Sequence, residues 1–206
     1  MIDKRIVDFL DELASDAPTP GGGGAAAIMG AMAASLVSMV CRLTIGKKGY
    51  EQFGEQMQSI LAEAEDLRLQ LQPMVKLDAE VFDQVMAAYR MPKATESESQ
   101  IRSAAIQDAL RTATEIPLRC ARACSDLIRL SRIAADHGNR NVVSDAGVAV
   151  MAAYAGLKSA ALNVYVNTAA LLDRGFAETS VTEIERLLDQ AELATQEIFS
   201  VIKSRL

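Results

Sequence analysis

Ala17–Cys41 reads APTPGGGGAAAIMGAMAASLVSMVC, a run without a single charged residue. Two prolines and four glycines open it. Alanine, methionine, leucine, valine and isoleucine follow with no two-residue alternation, so the segment reads as a helix rather than a strand. Its length could cross a bilayer. The prolines and glycines at its start and the many alanines are wrong for lipid, and a buried central helix, at a subunit interface, is the better reading. That helix is expected from about Gly23 to Thr44, with Ile45-Gly46 closing it through a left-handed glycine.

Outward from this segment the pattern stays helical. Ile2–Ala14 carries Ile2, Ile6, Phe9, Leu10 and Leu13 on one face and Asp3, Lys4, Asp8, Asp11 and Glu12 on the other, an amphipathic helix. Tyr50–Tyr89 is periodic, with Pro73 as a kink or break, and Pro92 stops it. The polar run Thr95–Gln100 starts the next helix, with Ser97 and Gln100 at capping-box spacing. This helix runs to about Asp136, with a kink at Pro117. The loop 137–141 follows, then a helix from near Ser144 to near Asp173. The last helix is expected from about Val181, capped by Thr179 or Ser180 with Glu183 completing a box. No strand is expected. The fold class is therefore all-α: one domain over residues 1–206, a multi-helix bundle of five to six helices, two of them long and kinked. Ala25–Cys41 and Ala146–Leu172 are apolar on nearly all sides. A chain of this size buries one such helix completely, so two of them point to a homodimer packed through apolar helices.

Composition narrows the function classes. The 206 residues are 50% apolar but only 4% aromatic, with no Trp, which suits close helix packing. A net charge of −6 argues against a nucleic-acid partner. Cys41, Cys120 and Cys124 form no disulfide framework and read as reduced, core-packed thiols. With a single histidine, His137, in a loop, neither a zinc site nor a phosphotransfer helix is expected. No secretory signal is visible. These features point to a cytoplasmic location, with no membrane partner.

Four features could carry chemistry. The first is Pro18-Thr19-Pro20-Gly21-Gly22-Gly23-Gly24 ahead of a helix. Its free N–H groups and bare backbone suit an anion or a ligand carbonyl. It is neither a dinucleotide fingerprint, since no strand precedes it, nor a P-loop. The second is Asp78, which helical spacing puts on an apolar stripe with Leu71, Met74, Val75, Val81, Phe82 and Val85, while Glu80 and Asp83 lie on the polar side. A desolvated carboxylate has a raised pKa and suits acid/base work, but a buried Asp satisfied by a helix start or an Arg reads equally well. The third is Gly138–Asp145, where Ser144 or Asp145 caps a helix while Asn139, Arg140 and Asn141 are free to meet the polar edge of a heterocycle. Asn163 and Asn167 are a further pair on an apolar helix. Asn163 is about 27 Å along the axis from Asp145 at 1.5 Å per residue, so one small ligand cannot touch both within one chain. The fourth is cationic: Lys47, Lys48, Arg90 and Lys93 sit at helix ends, able to hold a chain of carboxylates or simply to complement helix C-termini.

Together, Phe9-Leu10-Asp11-Glu12-Leu13-Ala14, Pro18-Thr19-Pro20-Gly21-Gly22-Gly23, Leu43-Thr44-Ile45-Gly46-Lys47-Lys48, Asp78-Ala79-Glu80-Val81-Phe82, Met91-Pro92-Lys93, and Gly138-Asn139 with Ser144-Asp145 resemble the cyclodeaminase/cyclohydrolase family of tetrahydrofolate enzymes, over nearly the whole chain. Asn141–Val150 is worded most like the bacterial cyclohydrolases. The resemblance implies an all-α dimer that binds a tetrahydrofolate derivative as substrate near the glycine-rich helix start. Asp78 matches the catalytic carboxylate. Pro20, Gly21, Gly22, Gly23, Lys47, Lys48, Lys93, Asn141, Ser144 and Asp145 match substrate contacts. Gly24 stands where many relatives have Ser. The implied reaction is reversible hydrolysis of 5,10-methenyltetrahydrofolate to 10-formyltetrahydrofolate. Release of ammonia from a formimino-folate is the alternative, and a non-catalytic helical scaffold the alternative of a different class. No metal or redox cofactor is implied.

Overall fold

A computed structural model describes residues 4–206. Among them run six helices and no strand: α1 Ile6–Leu13, α2 Gly22–Arg42, α3 Gly54–Arg90, α4 Glu96–His137, α5 Val143–Ala169 and α6 Arg174–Lys203, with short 3₁₀ turns at Glu51–Phe53 and Arg140–Val142. The expected start of α1 at Ile2 lies outside the described residues.

α2 is the axis of the bundle. It packs against α3, α4 and α5, because its small side chains let backbones approach. At one crossing a Cβ on Gly156 of α5 would lie 3.1 Å from the Ala26 carbonyl oxygen and 3.3 Å from the Gly30 nitrogen, and the Cys124 sulfur of α4 touches both glycine positions at 3.0 Å. All three cysteines are buried, as the sequence suggests, and burial pushes the Cys41 thiol up to about 12. α3 and α5 both run antiparallel to α2. Gly24 meets Val75 of α3 while Gly30 meets Leu71, and Gly22 lies beside Asn163 of α5 while Gly30 meets Gly156. The glycine-rich start of α2 is therefore held between the middle of α3 and the last third of α5.

The other end of α2 is latched by the loop between α4 and α5. The Asn139 N–H donates to Thr44 Oγ1 at 2.9 Å and its side-chain amide donates to the Leu43 carbonyl at 3.1 Å. The second bond takes a carbonyl that the end of α2 leaves open. Gly46 sits at φ +72° just beyond, the left-handed position read from the sequence.

Both internal prolines lie inside uninterrupted helices. Pro117 cannot donate to the Ala113 carbonyl four residues back, and Asn167 Nδ2 from α5 takes that carbonyl at 2.7 Å. Pro73 leaves Leu69 C=O without its helical donor on a turn whose Leu69 side chain is exposed, so water can serve it.

Three helix starts are capped differently from expectation. The N-cap of α4 is Thr95, not Ser97: its hydroxyl accepts from Glu98 N–H and the Glu98 carboxylate accepts from Thr95 N–H, two residues earlier than the Ser97–Gln100 pair. α5 starts at Val143, so Ser144 and Asp145 lie in its first turn rather than capping it, with Asp145 placed to complement the helix dipole. α6 starts at Arg174, seven residues before Val181. Asp173 Oδ1 accepts from Phe176 N–H at 3.0 Å, and Arg111 both pairs with Asp173 and lies 4.1 Å over the Phe176 ring. Gly175 is in the first turn, where no intrahelical donor is needed, so it does not break the helix. Thr179 instead donates to the Gly175 carbonyl within the helix.

Candidate functional site

The first turn of any helix has N–H groups with no partner inside the helix. In α2 the Ala25 N–H reaches back to the Gly21 carbonyl, and the Gly24 N–H donates to Asp78 Oδ2 of α3 at 3.0 Å. Among the described residues the N–H groups of Gly22 and Gly23 have no acceptor. They form a two-donor mouth at the positive end of the helix dipole.

Asp78 lies across this mouth. A Cβ on Gly23 would sit 2.0 Å from Asp78 Oδ1 and 2.5 Å from its Cγ, so only a bare backbone lets the carboxylate rest there. The side chain is half-buried. Burial raises its pKa above the ordinary aspartate value, and the Gly24 N–H partly offsets this by favouring the ionised form. The result is a carboxylate held at a fixed place, more basic than usual, with one oxygen bonded to the Gly24 N–H and the other resting against Gly23. Glu80 and Asp83 lie on the exposed side, as expected, with Glu80 paired to Lys76 at 2.9 Å. Phe82 departs from the inward stripe assigned to it. It is 38% exposed, and at i+4 from Asp78 it leaves ring surface open next to the carboxylate.

The third wall comes from α5. Asn163 Nδ2 lies 3.8 Å from where Gly22 would carry a Cβ. The sequence signalled this residue only as a polar group on an apolar helix, and it is absent from the expected contacts. Of those contacts, the structure gathers Pro20, Gly21, Gly22 and Gly23 with Asp78. Pro20 is buried and a Cβ on Gly24 would meet it at 3.9 Å.

The remaining expected contacts are elsewhere in the chain. Lys47 and Lys48 follow the far end of α2, about 30 Å from the mouth at 1.5 Å per residue. Asn141, Ser144 and Asp145 share that end, since Asn139 is bonded to Thr44 and Leu43 and the Arg140 N–H donates to Tyr50 OH at 3.0 Å. Lys93 is exposed and lies three residues past the end of α3 at Arg90, itself about 18 Å along the helix from Asp78.

A desolvated carboxylate seated on bare helix-start backbone has the chemistry that proton transfer beside a polar ligand requires. The comparisons fit that class. The chain belongs to the formiminotransferase-cyclodeaminase family, whose model matches residues 5–186. It is 55% identical to a methenyltetrahydrofolate cyclohydrolase of Methylorubrum extorquens, over 98% of each chain. It is 30% identical to a formimidoyltransferase-cyclodeaminase of Rattus norvegicus, covering 100% of this chain but 38% of that longer protein. The crystal structure of formiminotetrahydrofolate cyclodeaminase from Thermotoga maritima superposes with a TM-score of 0.88 at 32% identity, over 98% of this chain and 97% of that one.

Proposed function

We propose that this chain is an enzyme that hydrolyses 5,10-methenyltetrahydrofolate to 10-formyltetrahydrofolate, and that Asp78 is its proton shuttle. The substrate assignment rests on the Methylorubrum cyclohydrolase, which is similar along its whole length. The chemistry rests on one observation: the Asp78 carboxylate fixed over Gly23 by the Gly24 N–H.

Water attacks the electrophilic carbon bridging N5 and N10, and Asp78 accepts one of its protons, leaving a neutral carbinol. Asp78 then gives that proton to N5 as the C–N5 bond breaks. The hydroxyl proton leaves to solvent as the formyl C=O forms. One water is consumed and one proton released. Before attack the substrate carries a delocalised positive charge, which the nearby carboxylate also stabilises. The free N–H groups of Gly22 and Gly23 serve an acceptor oxygen on the ligand, and the open face of Phe82 suits a flat ring. No metal or redox cofactor enters this scheme, and the setting is cytoplasmic.

The working unit in this reading is a homodimer. The outer faces of α2 and α5 lie side by side, with Met32 and Val148 each 55% exposed and Leu162 and Val166 further along α5 at 66% and 72%. Ile28, Ala31, Ser35 and Leu36 extend this face, and α2 carries no charge on it before Arg42. A two-fold axis across its middle runs the two copies antiparallel. That would bring the Lys47, Lys48, Asn141, Ser144 and Asp145 end of one copy towards the glycine mouth of the other, where cations could hold the carboxylates of the folate tail.

The test is spectrophotometric. Purified protein should abolish the methenyl absorbance of 5,10-methenyltetrahydrofolate faster than buffer does, without ammonia. Release of ammonia from 5-formiminotetrahydrofolate in place of that reaction would assign the chain to the cyclodeaminase chemistry named for its more distant relatives. Inertness toward both would leave a non-catalytic bundle.

A further inference from the structure

Asn163 and Asn167 sit one turn apart on α5, and the fold gives them different reasons to exist. Asn167 repairs α4 by donating to the Ala113 carbonyl that Pro117 leaves open. Asn163 makes no bond to another helix among the described residues. Its amide donates only to the Ser159 carbonyl of its own turn at 2.9 Å, a bond that α5 does not need. Its Oδ1 has no donor among the described residues. The side chain is half-buried between exposed Leu162 and Val166, so a structural account of it is missing. Its position supplies one: its Nδ2 lies 3.8 Å from where Gly22 would carry a Cβ, which puts the amide at the same helix mouth as Asp78 on Gly23. Two consecutive glycines thus carry an amide from α5 on one side and a carboxylate from α3 on the other, with their own N–H groups free between.

We infer that Asn163 is the residue that holds the attacking water for Asp78. The inference rests on the hydrolytic reading above. A water poised for attack needs an acceptor for the proton it gives up, which is Asp78. It also needs a second acceptor, for the proton it keeps, if its lone pair is to be aimed at carbon. A neutral amide oxygen fills the second role without competing for the first proton. A second carboxylate there would drive the Asp78 pKa higher still. Once the carbon–oxygen bond has formed, the same amide oxygen accepts from the carbinol hydroxyl, the O–H that is lost when the formyl group appears. The bond to Ser159 fixes the amide plane, so no ordering is required at the moment of reaction.

The experiment compares full-length wild type, Asn163→Ala and Asn163→Asp with 5,10-methenyltetrahydrofolate across pH, alongside thermal unfolding of each. Asn163→Ala is expected to lower kcat by about 10-fold to 100-fold, the scale for losing one positioned hydrogen-bonding group, with KM within about twofold and the unfolding temperature unchanged. Asn163→Asp, equal in size, is expected to fold normally and to move the acid limb of the kcat profile to higher pH by charge repulsion on Asp78. A kcat within twofold of wild type for Asn163→Ala overturns the inference. So does a rise in KM with kcat intact, which would make Asn163 a substrate contact only. An unmoved acid limb in Asn163→Asp overturns it even where the alanine variant does not fold. In each of these cases the wild type still turns over and the hydrolase reading stands. A wild type inert toward the methenyl substrate removes both.

Discussion

Asp78 Oδ1 occupies the space a side chain on Gly23 would need: a Cβ there would lie 2.0 Å away, while one on the next residue, Gly24, would meet nothing nearer than the Val75 carbonyl oxygen at 3.6 Å. The two glycines are neighbours in sequence and opposites in tolerance. Gly23→Ala must push the carboxylate off the helix mouth, and activity should fall by at least about 10²-fold, the scale for misplacing a proton-transfer group. Gly24→Ala adds a methyl in ordinary contact distance inside a helix. It should gain about 0.5–1 kcal/mol from reduced unfolded-state freedom while keeping its turnover. Steady-state kinetics and urea unfolding of the two variants check this; equal activity in both would remove the link between Gly23 and Asp78.

The carboxylate that makes the site also weakens the fold. Burial raises the Asp78 pKa, so the folded chain binds that proton more tightly than the unfolded chain. A raised pKa contributes stability that is fully present below the unfolded value and is lost as pH rises through the folded value. At neutral pH the ionised group is therefore a net liability. Asp78→Asn keeps an acceptor for the Gly24 N–H and removes the charge. It should melt no lower than wild type at pH 7 while losing about 10²-fold or more in kcat. Its advantage in melting temperature should shrink as pH is lowered and wild-type Asp78 takes up its proton. In wild type, activity should fall on the acid side at a higher pH than an ordinary aspartate would give. A variant that melts well below wild type at pH 7 would show that the charge is stabilised rather than strained.

The bundle was legible because helical periodicity, glycine and proline speak locally. The central place of α2 follows from its uncharged, alanine-rich run, and the inward set of Asp78 from its spacing to Leu71, Met74 and Val75. The start of α6 was not legible. Its cap depends on Asp173 with Arg111 and Phe176 across the helix boundary, and Gly175 alone looks like a break. Nor was the company Asp78 keeps. Gly23 lies 55 residues before it and Asn163 lies 85 after it, and only the antiparallel packing of α3 and α5 on α2 brings the three together. Phe82 departs from the inward set because α2 begins opposite Asp78, and a ring one turn further along α3 lies past the helix that covers the rest of the stripe.

Asn167 should behave unlike its neighbour. Replacing it with Ala strands the Ala113 carbonyl at Pro117, partly buried between α4 and α5. An unsatisfied buried acceptor costs about 1–3 kcal/mol. Asn167→Ala should therefore lower the urea midpoint by a corresponding amount, with little change in kcat per folded molecule. A variant as stable as wild type would mean that water already serves that carbonyl.

The dimer reading has a sharp consequence at the middle of the α2–α5 face. Met32 and Val148 both line the same apolar recess and are each 55% exposed in the single chain. An isologous interface uses each such residue twice, so one substitution places two charges in it. Burying an unpaired carboxylate is expensive, and Val148→Asp should yield a monomer by light scattering at micromolar concentration. The single chain leaves Val148 half in water, so the fold itself should persist by circular dichroism. Because the Lys47 and Asn141 end lies about 30 Å from the mouth within one chain, the monomer should also lose affinity for the folate: KM should rise while the Asp78-dependent acid limb stays where it was. A Val148→Asp chain that remains dimeric would place the interface elsewhere. A monomer with unchanged KM would show that each chain carries its site alone, with Lys47 and Asn141 serving only to hold the far end of α2.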